Sequence, residues 1–413
     1  MTEQRNYLLL QGVCSPFFWQ LGGALARAGH RVEKINFNGG DVAYWPARHA
    51  SAFRDRLERL GEFFEQRYAQ AGITDQILFG DQRPIHRIAV EAARRCGVRT
   101  FVFEEGYFRP HWVTLEREGV NNCSQLPRDP AWFRAAAERI GGLAEAVPFT
   151  SPFAIRAVHD VAYHVACALN PIFFPSYRSH APVNAAVEYV GFLRRTLTLR
   201  KQAQHDARVI EDLQRNAAPF YFLPLQLNSD AQIRAHSPFN DMVDVMAFVM
   251  QSFATHERHG ARLVIKNHPL EMGASDYPHL VANLEKQFGL EGRVDYLETG
   301  DLNALLTHAR GVVTVNSTVG ALALQFGLPT ITLGDPIYNL PGLAWQDSLD
   351  TFWESAMPPD AELFRNFHDT VIHATQINGG FYCTTGIDLA IRNSLPSLLG
   401  AQTPLQQLLG VLR

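Results

Sequence analysis

Short apolar segments alternate with longer amphipathic segments along most of the chain. Apolar segments of this kind predict buried strands, and a helical repeat of apolar positions between them predicts covering helices. Predicted strands occupy residues 6–13, 31–37, 76–79, 99–103, 220–225, 262–266, 293–297, 311–315 and 329–333. The strands therefore form two series, separated by a stretch that is predicted to be helical.

Strands that alternate with helices are typical of parallel, doubly wound sheets. A chain of 413 residues with 46% hydrophobic content can form two such domains. We therefore predict an α/β protein of the GT-B type, in which two Rossmann-like domains face a cleft. The predicted N-terminal, acceptor-side domain spans 1–205 and includes a helical, basic and aromatic extension at 151–205. The nucleotide-binding domain spans 206–375, and helices in 376–413 are expected to cross back to the first domain.

The composition excludes several classes of protein. The net charge of −4 offers no general surface for nucleic acid. The five cysteines are scattered without a Cys-x-x-Cys pair, which argues against a disulfide framework or a zinc site and fits a reducing cytoplasm. No signal-peptide pattern or membrane-spanning apolar run is visible, so we expect a soluble or peripheral protein.

Two segments of the second strand series predict an anion site. Lys266-Asn-His-Pro follows the strand at 262–266, and Asn316-Ser-Thr-Val-Gly follows the strand at 311–315. In an open parallel sheet, ligands bind beyond the carboxyl ends of strands, near helix N-termini that hold anions. An imidazole at His268 and hydroxyls at Ser317 and Thr318 suit a diphosphate or a nucleoside monophosphate. The alternatives are a buried structural histidine and a simple helix cap, although a cap and a phosphate can share the same N–H groups.

Carboxylates follow two other predicted strands. Glu104 and Glu105 come directly after the strand at 99–103, and Asp230 follows the first strand of the second series. A carboxyl group near a second carboxylate can act as an acid near neutral pH, and a carboxylate in a cleft can attack an anomeric carbon. The structural alternatives are an ion pair between the glutamates and Arg109, and capping of a turn by Asp230.

Weaker candidates and absent motifs complete the pattern. Glu298 and Asp335, at the ends of two later strands, could contact a ribose or a base, although Gly-Asp-Pro is also common in turns. The chain contains no P-loop and no GxGxxG after its first strand, which argues against ATPase and dinucleotide chemistry. It also lacks Asp-x-Asp, so we expect a metal-independent reaction.

With these segments assembled, the sequence resembles capsular polysaccharide biosynthesis proteins of the KpsS/LipB type, in the bacterial β-Kdo transferase superfamily. The resemblance covers most of the chain. Its most distinctive part is Glu-Glu-Gly-Tyr-Phe-Arg-Pro at 104–110. Further matching segments are the N-terminal Leu-Leu-Leu-Gln-Gly, Pro-Leu-Gln leading to Asp230, Asn-His-Pro-Leu-Glu at 267–271 and Asn-Ser-Thr-Val-Gly at 316–320.

The resemblance implies transfer of Kdo from CMP-β-Kdo to phosphatidylglycerol or its lyso form, which starts the poly-Kdo linker of group 2 capsules. It implies retention of configuration, with Asp230 as nucleophile and Glu105, less surely Glu104, as acid/base. His268, Ser317 and Thr318 would hold the CMP phosphate, assisted by Lys266 and Asn316. No cofactor is expected besides the donor substrate.

A lipid acceptor would require a membrane-facing surface. Residues 151–205 carry a local net charge of +4 together with several aromatic residues. Basic residues beside aromatic ones suit contact with anionic lipid on the cytoplasmic side of the inner membrane. The residues assigned to the acceptor or the membrane are Arg109, Arg194, Arg195, Arg200 and Lys201. The alternative is an ordinary core in which the aromatics pack inward and the arginines are solvated.

Two alternatives to the Kdo transferase remain open at this point. One is a GT-B transferase that uses another nucleotide sugar. The other is a non-catalytic component of capsule assembly or export, and other capsule biosynthesis enzymes are candidate partners in either case.

Overall fold

The computed structural model divides the protein into two compact units. Unit 1 comprises 1–127, 135–180 and 369–413, and unit 2 comprises 128–134 and 181–368. The residues described are 4–46, 49–142, 145–178, 185–215, 219–227, 239–271 and 276–412, and within 185–200 side chains are described only at 195 and 199. The boundary at 181 differs from the predicted 205 because one helix, Ala185–Arg215, packs Ile210 and Leu213 into the core of unit 2.

Unit 1 is built on a seven-stranded sheet within its described residues. Its strands are β1 (Asn6–Leu9), β2 (Arg31–Asn36), β3 (Ser51–Ala52), β4 (Asp75–Phe79), β5 (Arg99–Glu105), β6 (Trp112–Arg117) and β12 (Gln376–Asn378). Their order is β12-β6-β5-β4-β1-β2-β3, and β1 to β5 are parallel. The strand at 112–117 was not predicted, and it pairs antiparallel to both β5 and β12. Its pattern is unusual because Thr114 and Glu116 are buried along with the apolar residues.

Helices cover both faces of this sheet. They are α1 (Phe17–Arg27), α2 (Gly39–Ala43), α3 (Leu60–Ala71), α4 (Pro84–Cys96), α6 (Phe153–Cys167), α7 (Asn170–Phe173), α15 (Thr384–Leu399) and α16 (Pro404–Val411). Because side chains alternate along a strand, Tyr7 and Leu9 of β1 enter one core and Leu8 and Leu10 enter the other.

The C-terminal segment belongs to unit 1. Ile387 and Leu398 of α15 lie in the same core as Tyr7 and Phe103. The Arg5 guanidinium donates to the carbonyls of Leu398 and Gly400 at 2.6 and 2.9 Å. Residues 369–413 therefore complete the first unit, to which β12 also contributes a strand.

Unit 2 contains a five-stranded sheet that is entirely parallel in the described residues. Its strands are β7 (Phe220–Pro224), β8 (Arg262–Lys266), β9 (Val294–Leu297), β10 (Gly311–Thr314) and β11 (Thr330–Thr332), in the order β11-β10-β7-β8-β9. Its helices include α8 (Ala185–Arg215), α9 (Met242–His256), α10 (Tyr277–Phe288), α11 (Leu302–His308), α12 (Thr318–Gln325) and α13 (Leu349–Ser355). The chain passes between the units within α5 (Pro130–Ala137) and α14 (Ala361–Thr375).

Polar side chains determine where the helices of unit 2 begin. Asp241, Asp301, Ser317 and Ser348 each accept a hydrogen bond from an N–H in the first turn of the helix that follows. Such caps satisfy donors that a helix leaves unpaired at its start. The predicted α/β class, with two Rossmann-like units, is confirmed. Among the described helices, none combines the length and the apolar character needed to cross a bilayer.

Candidate active site

Three neighbouring strands bring the predicted phosphate ligands to one edge of unit 2. His268 follows β8, and Asn316, Ser317 and Thr318 follow β10. Both strands pair with β7, which lies between them. Because adjacent strands lie about 4.8 Å apart, the ends of β8 and β10 are separated by roughly 10 Å. Side chains from both can reach one phosphate placed beyond the end of β7.

The hydrogen bonds around His268 define its tautomer. The Asn267 Oδ1 atom accepts from the backbone N–H of His268 at 2.8 Å, and the Nδ1 atom of His268 accepts from the N–H of Leu270 at 3.1 Å. Since an accepting Nδ1 carries no proton, the neutral ring holds its proton on Nε2. The partly exposed imidazole therefore carries its donor at Nε2, and a phosphate oxygen accepts from a donor of this kind.

The segment after β10 is fixed from two sides. Ser317 caps α12 by accepting from the N–H of Val319 at 3.2 Å, and its carbonyl accepts from the Tyr338 hydroxyl at 2.5 Å. A Cβ atom at Gly320 would overlap that hydroxyl, so the close approach requires glycine. Gln226 and Asn316 exchange two hydrogen bonds, of 2.7 and 3.1 Å, between the ends of β7 and β10.

A buried guanidinium holds the His268 loop in place. Arg195, on α8, donates to the carbonyls of His268, Pro269 and Glu271 and forms a 3.0 Å ion pair with Glu298. Its exposure is only 9%, so the prediction that Arg195 contacts a membrane is wrong. The physical reason is that α8 packs beside the carboxyl ends of β8 and β9, where the loop carbonyls and a carboxylate surround the side chain.

Two other predicted nucleotide ligands belong to this buried network. The oxygens of Glu298 already accept from Tyr296, Asn267 and Arg195, so we assign Glu298 to holding the loop and no longer to a ribose. Lys266 is buried beside the same groups, and burial, followed by the nearby Arg195, lowers its pKa. Asp206, also on α8, accepts from the N–H groups of Glu298 and Thr299 at 3.1 and 2.8 Å.

The remaining predicted residues are dispersed or undescribed. Asp335 is exposed beside Arg128, whose guanidinium lies 3.7 Å from its carboxylate. Arg109 is exposed and its Nε donates to the Gly106 carbonyl at 3.4 Å, while Lys201 is exposed on α8. The predicted nucleophile Asp230 and the side chains of Arg194 and Arg200 lie outside the described residues.

The two glutamates of unit 1 point to opposite faces of the sheet. They are successive residues at the end of β5, where they pair with Thr114 and Val113. Glu104 lies next to Gly80 at the end of β4, with Oε2 3.1 Å from the position a Cβ would take there. Glu105 lies on the other face, where Arg156 of α6 is 3.7 Å away and the Tyr382 hydroxyl donates to it at 3.4 Å.

The environments of these carboxyl groups differ. Burial raises the pKa of Glu104 to about 7, and this rise is opposed by a 2.9 Å hydrogen bond from the Glu105 N–H. Glu105 is partly exposed, and the Arg156 guanidinium lies 3.7 Å from its carboxylate. Glu104 thus has the proton affinity expected of an acid/base near neutral pH.

Sequence reasoning missed the residues that hold these sites. Arg195 and Asp206 lie on α8, more than sixty residues before the loops that they bind. Arg83 reaches Gln11 and Gly12 at 3.1 Å and lies close enough to Glu104 to affect its pKa. Arg195 could have been predicted only if the sequence had shown that its side of α8 is buried.

In the part of the chain that the structure describes, no group of three or more His, Cys, Asp and Glu side chains could hold a metal ion.

The chain is similar to proteins of capsule polysaccharide biosynthesis. A sequence profile described as "Capsule polysaccharide biosynthesis protein" matches residues 74–382. The capsule polysaccharide modification protein LipB of Neisseria meningitidis serogroup B is 35% identical over 92% of this chain and 93% of its own length. The capsule polysaccharide export protein KpsS of Escherichia coli is 33% identical over 92% of this chain and 98% of its own length.

Among solved structures, the β-Kdo 2,7 transferase KpsC of Thermosulfurimonas dismutans is similar over 88% of this chain and 98% of that chain. The TM-score is 0.42 and the identity 15%, a likeness too weak to carry a functional conclusion.

The raised pKa of Glu104 predicts a pH-dependent effect on stability. The folded protein binds the proton of Glu104 more tightly than the unfolded chain does, because the pKa of a glutamate in the unfolded chain is 4.5. The free energy of unfolding therefore falls as the pH rises from 4.5 to about 7. Glu104→Gln removes this effect. The free energy of unfolding of the variant, relative to that of the wild type, should therefore be higher at pH 8 than at pH 4.5, by up to about 3 kcal/mol. Urea unfolding at both pH values measures it, with Glu105→Gln as control. An equal difference between wild type and Glu104→Gln at both pH values would contradict the assignment.

The buried position of Arg195 predicts a large loss of stability on substitution. Arg195→Met leaves the Glu298 carboxylate buried without its cation and should cost about 3–5 kcal/mol of the free energy of unfolding. Arg195→Lys should recover only a small part, because one ammonium cannot match the fork of the guanidinium. Denaturant unfolding measures both variants. Lys201→Met, exposed on the same helix, is the control, and equal stability of the Arg195→Met and Lys201→Met variants would refute the anchoring role.

Proposed function

The chain belongs to the capsule polysaccharide biosynthesis protein family, and from this premise we propose that it is a glycosyltransferase of capsule assembly. The proposed reaction moves Kdo from CMP-β-Kdo to phosphatidylglycerol or its lyso form and starts the poly-Kdo linker. Support comes from family membership and from the chemistry at the ends of the two sheets. The enzyme would work in the cytoplasm at the inner membrane.

One observation carries the donor half of the proposal. The Nε2–H donor of His268 and the N-terminus of α12 flank the end of β7. A helix N-terminus and a neutral histidine donor together stabilise a phosphate dianion without a metal ion. The CMP leaving group carries such a phosphate, and the negative charge that develops as it departs would be stabilised there.

Asp230 is the proposed nucleophile. In sequence it follows β7, the strand between the two that carry His268 and Ser317. In a retaining mechanism, its carboxylate attacks the anomeric carbon of Kdo, and the bond to the CMP phosphate breaks. The acceptor hydroxyl then displaces Asp230 after losing its proton to a base, which restores the original configuration.

We assign that base to Glu104. A base that accepts a proton from an alcohol near neutral pH needs a pKa close to 7, and burial gives Glu104 this value. Glu105 is instead paired with Arg156 and Tyr382, and we assign it to positioning. This choice reverses the order that the sequence resemblance favoured.

The proposed donor site predicts which substitutions weaken nucleotide binding. His268→Ala and Ser317→Ala should each reduce CMP affinity by about tenfold or more, because each removes a contact of about 1.5–3 kcal/mol to the phosphate. Calorimetry with CMP and UDP measures the loss and tests the preference for CMP. His279→Ala and the helix-cap variant Ser348→Ala are matched controls, since both residues are exposed elsewhere in unit 2. Unchanged CMP affinity in both folded site variants would remove the basis of the donor site, and stronger binding of UDP would indicate another nucleotide sugar.

The proposed roles of the carboxylates predict a loss of transfer without a loss of binding. Asp230→Ala and Glu104→Gln should keep CMP affinity and reduce turnover by about 10²-fold or more, because both act on the transition state. Glu105→Gln should have a smaller effect. The measurement is single-turnover transfer to a soluble short-chain acceptor. If Glu105→Gln abolished transfer and Glu104→Gln did not, the assignment within the pair would be reversed. Normal turnover of all three variants would show that none of these carboxylates takes part in catalysis.

A further inference from the structure

Helix α6 of unit 1 has its polar side turned inward and its apolar side turned outward. The residues of α6 that are exposed are all apolar: Phe153, Ala154, Ile155, Val158, Val161, Ala162 and Val165. The polar residues Arg156, His159, Asp160, Tyr163 and His164 are buried or half-buried. A helix on a water-facing surface normally shows the reverse arrangement. The outer face of α6 is therefore poorly suited to water.

The apolar face continues beyond the end of α6. Leu169, Ile172 and Phe173 are 54, 72 and 50% exposed in and next to α7. Among the described residues, eight of the fifteen large hydrophobic side chains that are exposed lie between 153 and 173. Exposed apolar side chains on a soluble protein are normally scattered singly, whereas these are concentrated in one segment. We name the residues Ile155, Val158, Val161, Val165, Leu169 and Ile172 the apolar stripe.

Contacts on the inner side prevent the stripe from turning inward. The Tyr163 hydroxyl donates to Asn38 and Asp41 at 3.0 and 3.1 Å, and the Tyr44 hydroxyl lies 2.8 Å from Nδ1 of His159. Glycine at position 40 allows the Tyr163 ring to approach α2, because a Cβ there would overlap the ring. The orientation of α6 is thus fixed by its polar side.

We propose that the apolar stripe lies in the interface of a phospholipid bilayer and holds the enzyme against the membrane that contains its acceptor. This inference rests on the proposed function. Interfacial helices present an apolar face to the acyl boundary and keep their polar face towards protein or water. Arg54 stacks over Phe174, two residues after the last stripe residue, at 5.8 Å, and the exposed Arg178 follows four residues later. Cations near the end of the stripe suit anionic headgroups.

A position beside Glu105, on the strand that also carries the candidate base Glu104, favours lipid over a second protein as the occupant. Arg156, on the polar side of α6, is the residue that pairs with Glu105. The helix therefore carries both the apolar stripe and a contact to Glu105 at the end of β5. A lipid whose headgroup reached Glu105 could leave its acyl chains in the bilayer against the stripe.

The test is a vesicle co-sedimentation assay with the full chain. Vesicles of phosphatidylcholine and phosphatidylglycerol should bind the wild type, and Val158→Gln/Val165→Gln/Ile172→Gln should reduce partitioning by about tenfold or more. The matched control Phe326→Gln/Met357→Gln/Val411→Gln removes three exposed apolar side chains outside the stripe and should bind like the wild type. Binding of the wild type should persist in high salt, because insertion of apolar groups is not screened.

Several outcomes would overturn the proposal. These are equal vesicle binding by the stripe variant, an equal loss in the control variant, and complete loss of wild-type binding in high salt. The wild type could instead fail to bind vesicles and be a dimer in analytical ultracentrifugation, with the stripe variant a monomer. This result would assign the stripe to a contact with a second copy of the chain. A second assay, transfer to a soluble short-chain acceptor, separates the membrane role of the stripe from the proposed transferase function. Loss of vesicle binding with normal soluble turnover supports the membrane role, whereas vesicle binding without any turnover in the wild type contradicts the proposed function and leaves the membrane role intact.

Discussion

The common direction of the strands is the constraint on which both candidate sites depend. Every strand of the unit 2 sheet is parallel to its neighbours, and β1 to β5 of unit 1 are likewise parallel. Loops that leave the carboxyl ends of such strands meet at one edge, whatever their separation in sequence. His268 and Ser317 therefore share one edge in unit 2, and Glu104 lies beside Gly80 at the corresponding edge of unit 1.

Helix α8 binds the loops at the edge of unit 2. Arg195 and Asp206 bind the loops after β8 and β9 through backbone carbonyls and N–H groups, so the position of His268 depends on residues that need not touch a ligand. Burying a guanidinium with a carboxylate is favourable only when further hydrogen bonds accompany the ion pair. Here Nη1 of Arg195 also donates to loop carbonyls, and Glu298 also accepts from Asn267 and Tyr296. The apparent nucleotide ligands Glu298 and Lys266 belong to this support.

Hydrophobic periodicity is a local feature, and it was sufficient to predict β1, β2, β4 and β5 of unit 1 and the five described strands of unit 2, but not β3, β6 and β12. The segments assigned to the phosphate also lie at the ends of strands, as the sequence predicted. The sequence could not show that Arg195 is buried, since the residues that surround it are distant in sequence. Nor could it decide between Glu104 and Glu105, because that choice depends on which face of β5 is more deeply buried. The inverted polarity of α6 was also hidden: the aromatic and basic residues of 151–205 suggested a membrane surface, but the exposed side of α6 proved to be mainly aliphatic.

The most direct test of the central claim is transfer itself. The protein would be incubated with CMP-Kdo made in situ and a fluorescent phosphatidylglycerol analogue, and the lipid products would be analysed by mass spectrometry. The wild type should yield a product that carries one added Kdo, and this product should be absent with the Asp230→Ala variant. An acceptor that stays unmodified while the folded protein binds CMP, or an equal yield of product from the Asp230→Ala variant, would contradict the central claim.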